Sequence, residues 1–206
     1  TFGTAFTGAT RDNFLHSKLI ILWGFDPVVS RFGPDMVYYP GEAKKAGARI
    51  VCVDPRLSQT GKALGEQWIA VRPGTDTAMM IAMAHVLITE NLCDRRFIKT
   101  HTHGFEDFED YVLGKEDGLA KTPEWAQEIT GVRSEVIQAL ARDYATVKPA
   151  ALFAGWAPGR TAFGEQYHRA ASVLSAMSGN IGAVGGYTAG GVGRVPMGFL
   201  KKVFPM

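Results

Sequence analysis

Residues 17–27 read S-K-L-I-I-L-W-G-F-D-P, and the rest of the chain can be placed outward from them. Leu19 to Trp23 is a short unbroken apolar run containing two isoleucines. That is the pattern of a strand buried on both faces, as in a parallel sheet. The run stops at Gly24-Phe25-Asp26-Pro27. Gly24 and Pro27 force a turn there, and the Asp26 carboxylate is left to bond backbone N–H groups or a ligand. In an open α/β sheet nucleotides bind in the loops at the carboxyl ends of the strands. The ends of this strand and its neighbours are therefore where chemistry is expected.

Three more runs share the pattern. Arg49–Asp54 is a second buried strand, again closed by a proline, and the helical stretch around Glu42–Ala46 before it ends at Gly47, a natural cap. Strand, helix and strand make a βαβ unit with a right-handed crossover. Gln67–Val71 is a third strand, closed by Arg72-Pro-Gly-Thr-Asp76, where Thr75 or Asp76 can cap the helix 77–90. That helix is apolar almost all round, so it must be buried. Pro149–Ala154 is the fourth strand, ending at Gly155-Trp-Ala-Pro-Gly-Arg160, and a long helix over 164–178 follows. Short helices are expected at 12–16, 94–101 and between 104 and 122. Two more start at Thr122-Pro, a strong N-terminal signal, and at Ser134. Residues 1–16 otherwise read as loop, and glycine crowds 179–198. The alternation predicts an α/β fold with a Rossmann-like, mainly parallel sheet and helices on both faces. The strands fall near 18–23, 49–54, 67–71 and 150–154, in one domain covering 1–206.

Composition narrows the partners. The 206 residues carry a formal charge of +2, so no basic field points to nucleic acid. No apolar run approaches the ~20 residues that span a bilayer. The cysteines, Cys52 and Cys93, lie far apart without a CxxC spacing; Cys52 reads as a buried thiol and Cys93 sits near a helix end. The five histidines form no metal pattern: His85 sits on an apolar helix and reads as a satisfied core residue, and His101 and His103 point to opposite sides of their segment. No G-x-G-x-x-G follows the first strand, which disfavours a nicotinamide dehydrogenase. Asp54, at the tip of the second strand, can accept from ribose hydroxyls or a base edge, or simply end the strand in an Asp-Pro turn. The Arg72–Asp76 loop with the helix N-terminus after it suits an anion or a nucleotide edge, or serves as an ordinary cap.

With those residues laid out, the chain resembles the molybdopterin oxidoreductase superfamily, and within it the catalytic subunits of dimethyl sulfoxide reductases. The resemblance rests on Trp23-Gly-Phe-Asp-Pro27, Val53-Asp-Pro-Arg56, Arg72-Pro-Gly-Thr-Asp76, Lys121-Thr-Pro-Glu-Trp-Ala126, Ile129-Thr-Gly-Val132, Gly155-Trp156 with Arg160, and Gly179-Asn-Ile-Gly182 through Gly186. These occur in family order across nearly the whole chain. The resemblance implies the central domain of a larger catalytic subunit, holding part of a molybdenum-bearing bis(molybdopterin guanine dinucleotide). Trp23, Gly24 and Asp26 would meet the pyrophosphate and dinucleotide, Asp54 and Arg56 the guanosine, and Gly74 with Asp76 the guanine edge. Gly155 would join the cofactor wall, with Trp156 and Arg160 on the molybdenum side, in the substrate funnel. Asp26 stands where the family more often has Asn. A carboxylate beside a pyrophosphate is repulsive unless a cation or a proton intervenes.

The resemblance also places a 4Fe–4S cluster, the protein ligand to molybdenum and a further cofactor-binding domain outside this span, so the segment alone is expected to fold without holding molybdenum or turning over. It implies a small oxidised substrate such as a sulfoxide or N-oxide, an iron–sulfur electron-transfer subunit and a membrane-anchor subunit. Periplasmic or membrane-associated placement is implied through twin-arginine export. Two other readings stay open: a non-catalytic homologue such as a complex I subunit, and a nucleotide-binding α/β module. Retention of Trp156, Arg160 and the Asp54 and Asp76 loops counts against the first.

Overall fold

The computed structural model describes residues 9–30 and 34–186. The expectations for residues 1–8, for the glycines beyond 186 and for the C-terminal stretch lie outside the described residues. Four strands, β1 (Leu19–Trp23), β2 (Arg49–Val53), β3 (Gln67–Ile69) and β4 (Ala150–Ala154), form one parallel sheet in the order β3-β2-β1-β4. β1 is the centre: Leu19 pairs with Arg49 on one side and Ala150 on the other, and Trp23 with Val53 and Ala154. Its five residues are all buried, as a strand covered on both faces requires.

Nine helices occur among the described residues: α1 (Pro27–Ser30), α2 (Asp35–Lys45), α3 (Gln59–Ala63), α4 (Asp76–Thr89), α5 (Arg95–His101), α6 (Phe105–Val112), α7 (Pro123–Thr130), α8 (Ser134–Thr146) and α9 (Glu165–Met177). The period-2 alternation of β1 sorts them into two layers. Leu19, Ile21 and Trp23 face a large core built with α4, α7, α8 and α9. Ile20 and Leu22 face a smaller one with Phe14, Met36, Phe25 and Phe153, covered by α2 and a 3₁₀ turn at Arg11–His16. The all-round apolar α4 lies at the middle of the large core, in contact with α7, α8 and α9. None of these helices is long and apolar enough to cross a membrane.

Three expectations need correction. β3 ends at Ile69, although Val71 is buried: Asp54 N–H makes the last bond of the ladder, to Ile69 O, and the chain then turns so that Arg72 N–H reaches Thr130 O at the end of α7. Neither Thr75 nor Asp76 caps α4 with its side chain. The Thr75 hydroxyl donates back to Arg72 O, and Asp76 is the first helical residue with a different partner. His85 is half-buried rather than a core residue. Thr122 caps α7 as its sequence requires, accepting from Trp125 N–H, with Pro123 in the first turn.

Candidate functional site

The carboxyl ends of all four strands open on one crevice of about 750 Å³. Among its walls are Gly24 and Asp26 after β1, Asp54 and Arg56 after β2, Gly74 and Asp76 after β3, and Trp156 and Arg160 after β4. In the order β3-β2-β1-β4 strands are added to one side of β1 as far as β3 and then to its other side with β4, so the order reverses between β1 and β4. That is the topological switch point at which open α/β sheets bind ligands.

The glycines set the shape of the floor. Gly24 takes φ +58°, a left-handed conformation that glycine adopts freely, and its N–H donates to Val53 O at 2.8 Å. Gly155 N–H donates to Trp23 O at 2.7 Å, so the ends of β1 and β4 touch backbone to backbone. A Cβ on Gly155 would lie 2.6 Å from the Gly24 carbonyl carbon and 2.8 Å from Phe25 Cβ. The Tyr167 hydroxyl of α9 donates to the same Trp23 carbonyl at 2.8 Å, fixing this junction from below.

Trp23 is fully buried and does not line the crevice. It reaches the site through its indole N–H, which donates to Asp76 Oδ1 at 2.9 Å. Asp76 is only 4% exposed, and burial raises its carboxyl above the ordinary value while the Trp23 bond pulls it back down. Asp54 is raised for the same first reason, burial, and is partly countered by the Arg56 N–H that donates to its Oδ1 at 3.0 Å. Two carboxylates in one crevice therefore face a partly dehydrated space. That arrangement favours a ligand edge rich in N–H donors.

Asp26 lines the crevice with its carboxylate already bonded to its neighbours. Its Oδ1 accepts from the Thr60 hydroxyl and, at 3.4 Å, from Thr60 N–H; its Oδ2 accepts from Arg56 at 3.3 Å. Arg56 thus supplies the cation that a carboxylate at this position needs if a phosphate is to lie nearby. Across the crevice the Arg160 guanidinium sits 5.7 Å over the Trp156 ring.

The quoted motifs divide by role. Four of them supply walls of the crevice. Arg72, by contrast, leaves it: its side chain donates to Ile129 O at 2.6 Å, closing the end of α7 where Gly131 takes φ +73°. Asn180 accepts from Ala150 N–H at 3.2 Å, and Gly185 N–H donates to Asn13 Oδ1 at 2.9 Å, at the other end of the strands. Thr60 and Tyr167 carry no local signal that marks them in the sequence, yet each holds a wall of the crevice in place through Asp26 and the Trp23 carbonyl. Burial pushes the Cys52 thiol up to about 11, as a core residue of β2. No group of three or more His, Cys, Asp or Glu able to hold a metal occurs among the described residues.

A parallel α/β domain with a strand-end crevice at its switch point is of the open-sheet class whose ligands bind in such crevices. The sequence matches the molybdopterin oxidoreductase family over residues 2–200, and the chain belongs to that family. It is 38% identical to dimethyl sulfoxide reductase DmsA of Escherichia coli (strain K12), over 98% of this chain and 26% of that protein. It is 36% identical to a trimethylamine-N-oxide reductase of Haemophilus influenzae, over 91% of this chain and 24% of that one. The chain thus spans about a quarter of the length of these curated relatives. Among solved structures it is similar to acetylene hydratase from Pelobacter acetylenicus, with a TM-score of 0.67 and 26% identity over 81% of this chain and 22% of that one.

Proposed function

We propose that this chain is the central α/β domain of a catalytic subunit of dimethyl sulfoxide reductase type, and that its crevice holds one guanine dinucleotide arm of a bis(molybdopterin guanine dinucleotide). The observation that carries the reading is the convergence of four family motifs, from four strand ends, on one crevice. The residues present fit such a group. The buried carboxylate of Asp76 and the half-buried one of Asp54 suit guanine N1–H and N2–H₂, Arg56 and Arg160 suit phosphate, and beyond the adjoining residues nothing lies within 4 Å of where a Gly74 Cβ would stand. When bound, the molybdenum of that cofactor supplies oxygen-atom transfer from a sulfoxide or N-oxide.

The chain's own part is to bind and orient. Trp23 holds Asp76, Thr60 and Arg56 hold Asp26, and Trp156 with Arg160 shape the face toward the substrate funnel. Electron delivery from a 4Fe–4S cluster, an iron–sulfur subunit and a membrane-anchor subunit belongs to the same proposal, as does periplasmic or membrane-associated placement. Trp156 and Arg160 on the crevice wall favour a catalytic subunit over a non-catalytic homologue.

Asp76→Asn tests the reading. The Asn side-chain oxygen can still accept from the Trp23 indole, but its amide then presents donors to donors. Guanine binding should weaken by roughly 1–3 kcal/mol. The variant, in the whole polypeptide, is expected to contain less guanine nucleotide after cofactor extraction and to lose sulfoxide and N-oxide reduction in parallel. Wild-type nucleotide content and activity would remove the guanine contact.

A further inference from the structure

Phe163, in the turn before α9, has no structural reason to be aromatic. Its side chain is 81% exposed, more than any other large apolar residue described. Its backbone takes φ +57°, a region that bulky side chains adopt only under strain. The turn imposes that conformation whatever residue occupies it. Gly164 N–H donates to Thr161 O and Gln166 N–H to Phe163 O, both at 3.0 Å, and a Cβ on Gly164 would lie 2.5 Å from the Gly159 carbonyl carbon. Glycine or asparagine would satisfy this geometry with little strain. A phenylalanine adds strain and exposed apolar surface, with no burial to offset either. Strain of this kind gathers at ligand clamps.

The ring borders a second cavity of about 260 Å³. This cavity shares Gly74, Asp76, Pro158 and Thr161 with the main crevice and adds Thr77, Gln166 and Tyr167. It lies below the roughly 300 Å³ at which drug-sized ligand pockets begin, a size for a base rather than a dinucleotide. Asp76 can meet a ring edge from one wall while Phe163 meets a ring face from another.

We propose that Phe163 is the stacking residue of the base subsite: a purine enters the smaller cavity with its donor edge on Asp76 and its face on the Phe163 ring. The proposal rests on the nucleotide reading above and divides the labour within it. A carboxylate edge distinguishes guanine from adenine by its donors, whereas an aromatic face accepts any base because every base has a π-face. Phe163 therefore supplies affinity and Asp76 supplies preference.

The test is calorimetric titration of the purified protein with GDP and with ADP, for wild type, Phe163→Asn, Phe163→Tyr and Asp76→Asn. Phe163→Asn is expected to bind both nucleotides about tenfold more weakly with the GDP preference intact. It should melt at or above the wild-type temperature, because Asn tolerates the left-handed turn. Phe163→Tyr should bind as wild type does, and Asp76→Asn should bind GDP and ADP alike. Unchanged affinities in Phe163→Asn, with wild type still preferring GDP, would overturn the stacking role alone. Wild-type protein that binds neither nucleotide would overturn this role and the nucleotide reading together.

Discussion

Gly155→Ala is expected to destabilise the protein by about 3 kcal/mol or more and to deform the crevice, although alanine differs from glycine by one methyl group. Overpacking a well-packed interior typically costs about 1–3 kcal/mol, and the upper end applies where nothing flexible can yield. Here the new methyl group meets backbone: it would stand 2.6 Å from the Gly24 carbonyl carbon and inside the envelope of the carbonyl oxygen. Neither backbone can retreat, because Gly155 N–H is bonded to Trp23 O and Gly24 N–H to Val53 O, which locks β4, β1 and β2 together. Any relief would push the turn at Gly24–Asp26 into the crevice. Gly74→Ala is the control, since a Cβ there meets nothing within 4 Å and its only penalty is φ +78°. Its expected loss is about 1 kcal/mol. Urea unfolding of the two variants measures both, read from midpoints at an unchanged slope. Equal losses would mean that the β1–β4 junction is softer than its geometry implies.

That junction also marks the limit of what the sequence displays. β1, β2 and β4 are legible because a buried parallel strand writes itself as a continuous apolar run ended by glycine or proline. α4 is legible because a helix apolar on every side can only be interior. The same local logic fails at β3, where Val71 extends the apolar run past the last ladder bond; its burial comes from packing on the large core. It fails again at Asp76, where an acidic residue at a helix start reads as a cap but its partner, Trp23, lies 53 residues away. Thr60 and Asp26 repeat the lesson at a separation of 34. The crevice-lining motifs are visible as strand ends, but which of their side chains enter the crevice is set by long-range bonds. Arg72 and Trp23 both sit in motifs that line the site, yet Arg72 bonds the end of α7 and Trp23 reaches the site only from beneath, through Asp76.

The Trp23–Asp76 bond carries the second large expectation, and it has a pH signature. Burial raises the Asp76 carboxyl in the folded protein, so the native state holds that proton to a higher pH than the unfolded chain does. Stability from this group is therefore greatest below the unfolded value of 3.8 and falls as pH rises toward the raised folded value. The indole N–H opposes that fall by bonding the charged form. Trp23→Phe keeps most of the packing but removes the donor, leaving a buried carboxylate with one bond fewer. The expected loss at neutral pH is roughly 1–3 kcal/mol, beyond any packing change. It should shrink as pH drops below the Asp76 value, where the neutral acid no longer needs the bond. Trp23→Ala loses the same donor and also leaves a cavity under the crevice floor, so a pH-independent cost of about 3–5 kcal/mol should add to the pH-dependent part. Denaturant unfolding of both variants, followed from about pH 4 up to neutral pH, separates the two contributions. A Trp23→Phe loss of constant size across that range would show that Trp23 supports the site by packing alone. A loss confined to the neutral end would identify the indole as the group that keeps Asp76 charged, and so able to accept a donor edge, inside a dehydrated crevice.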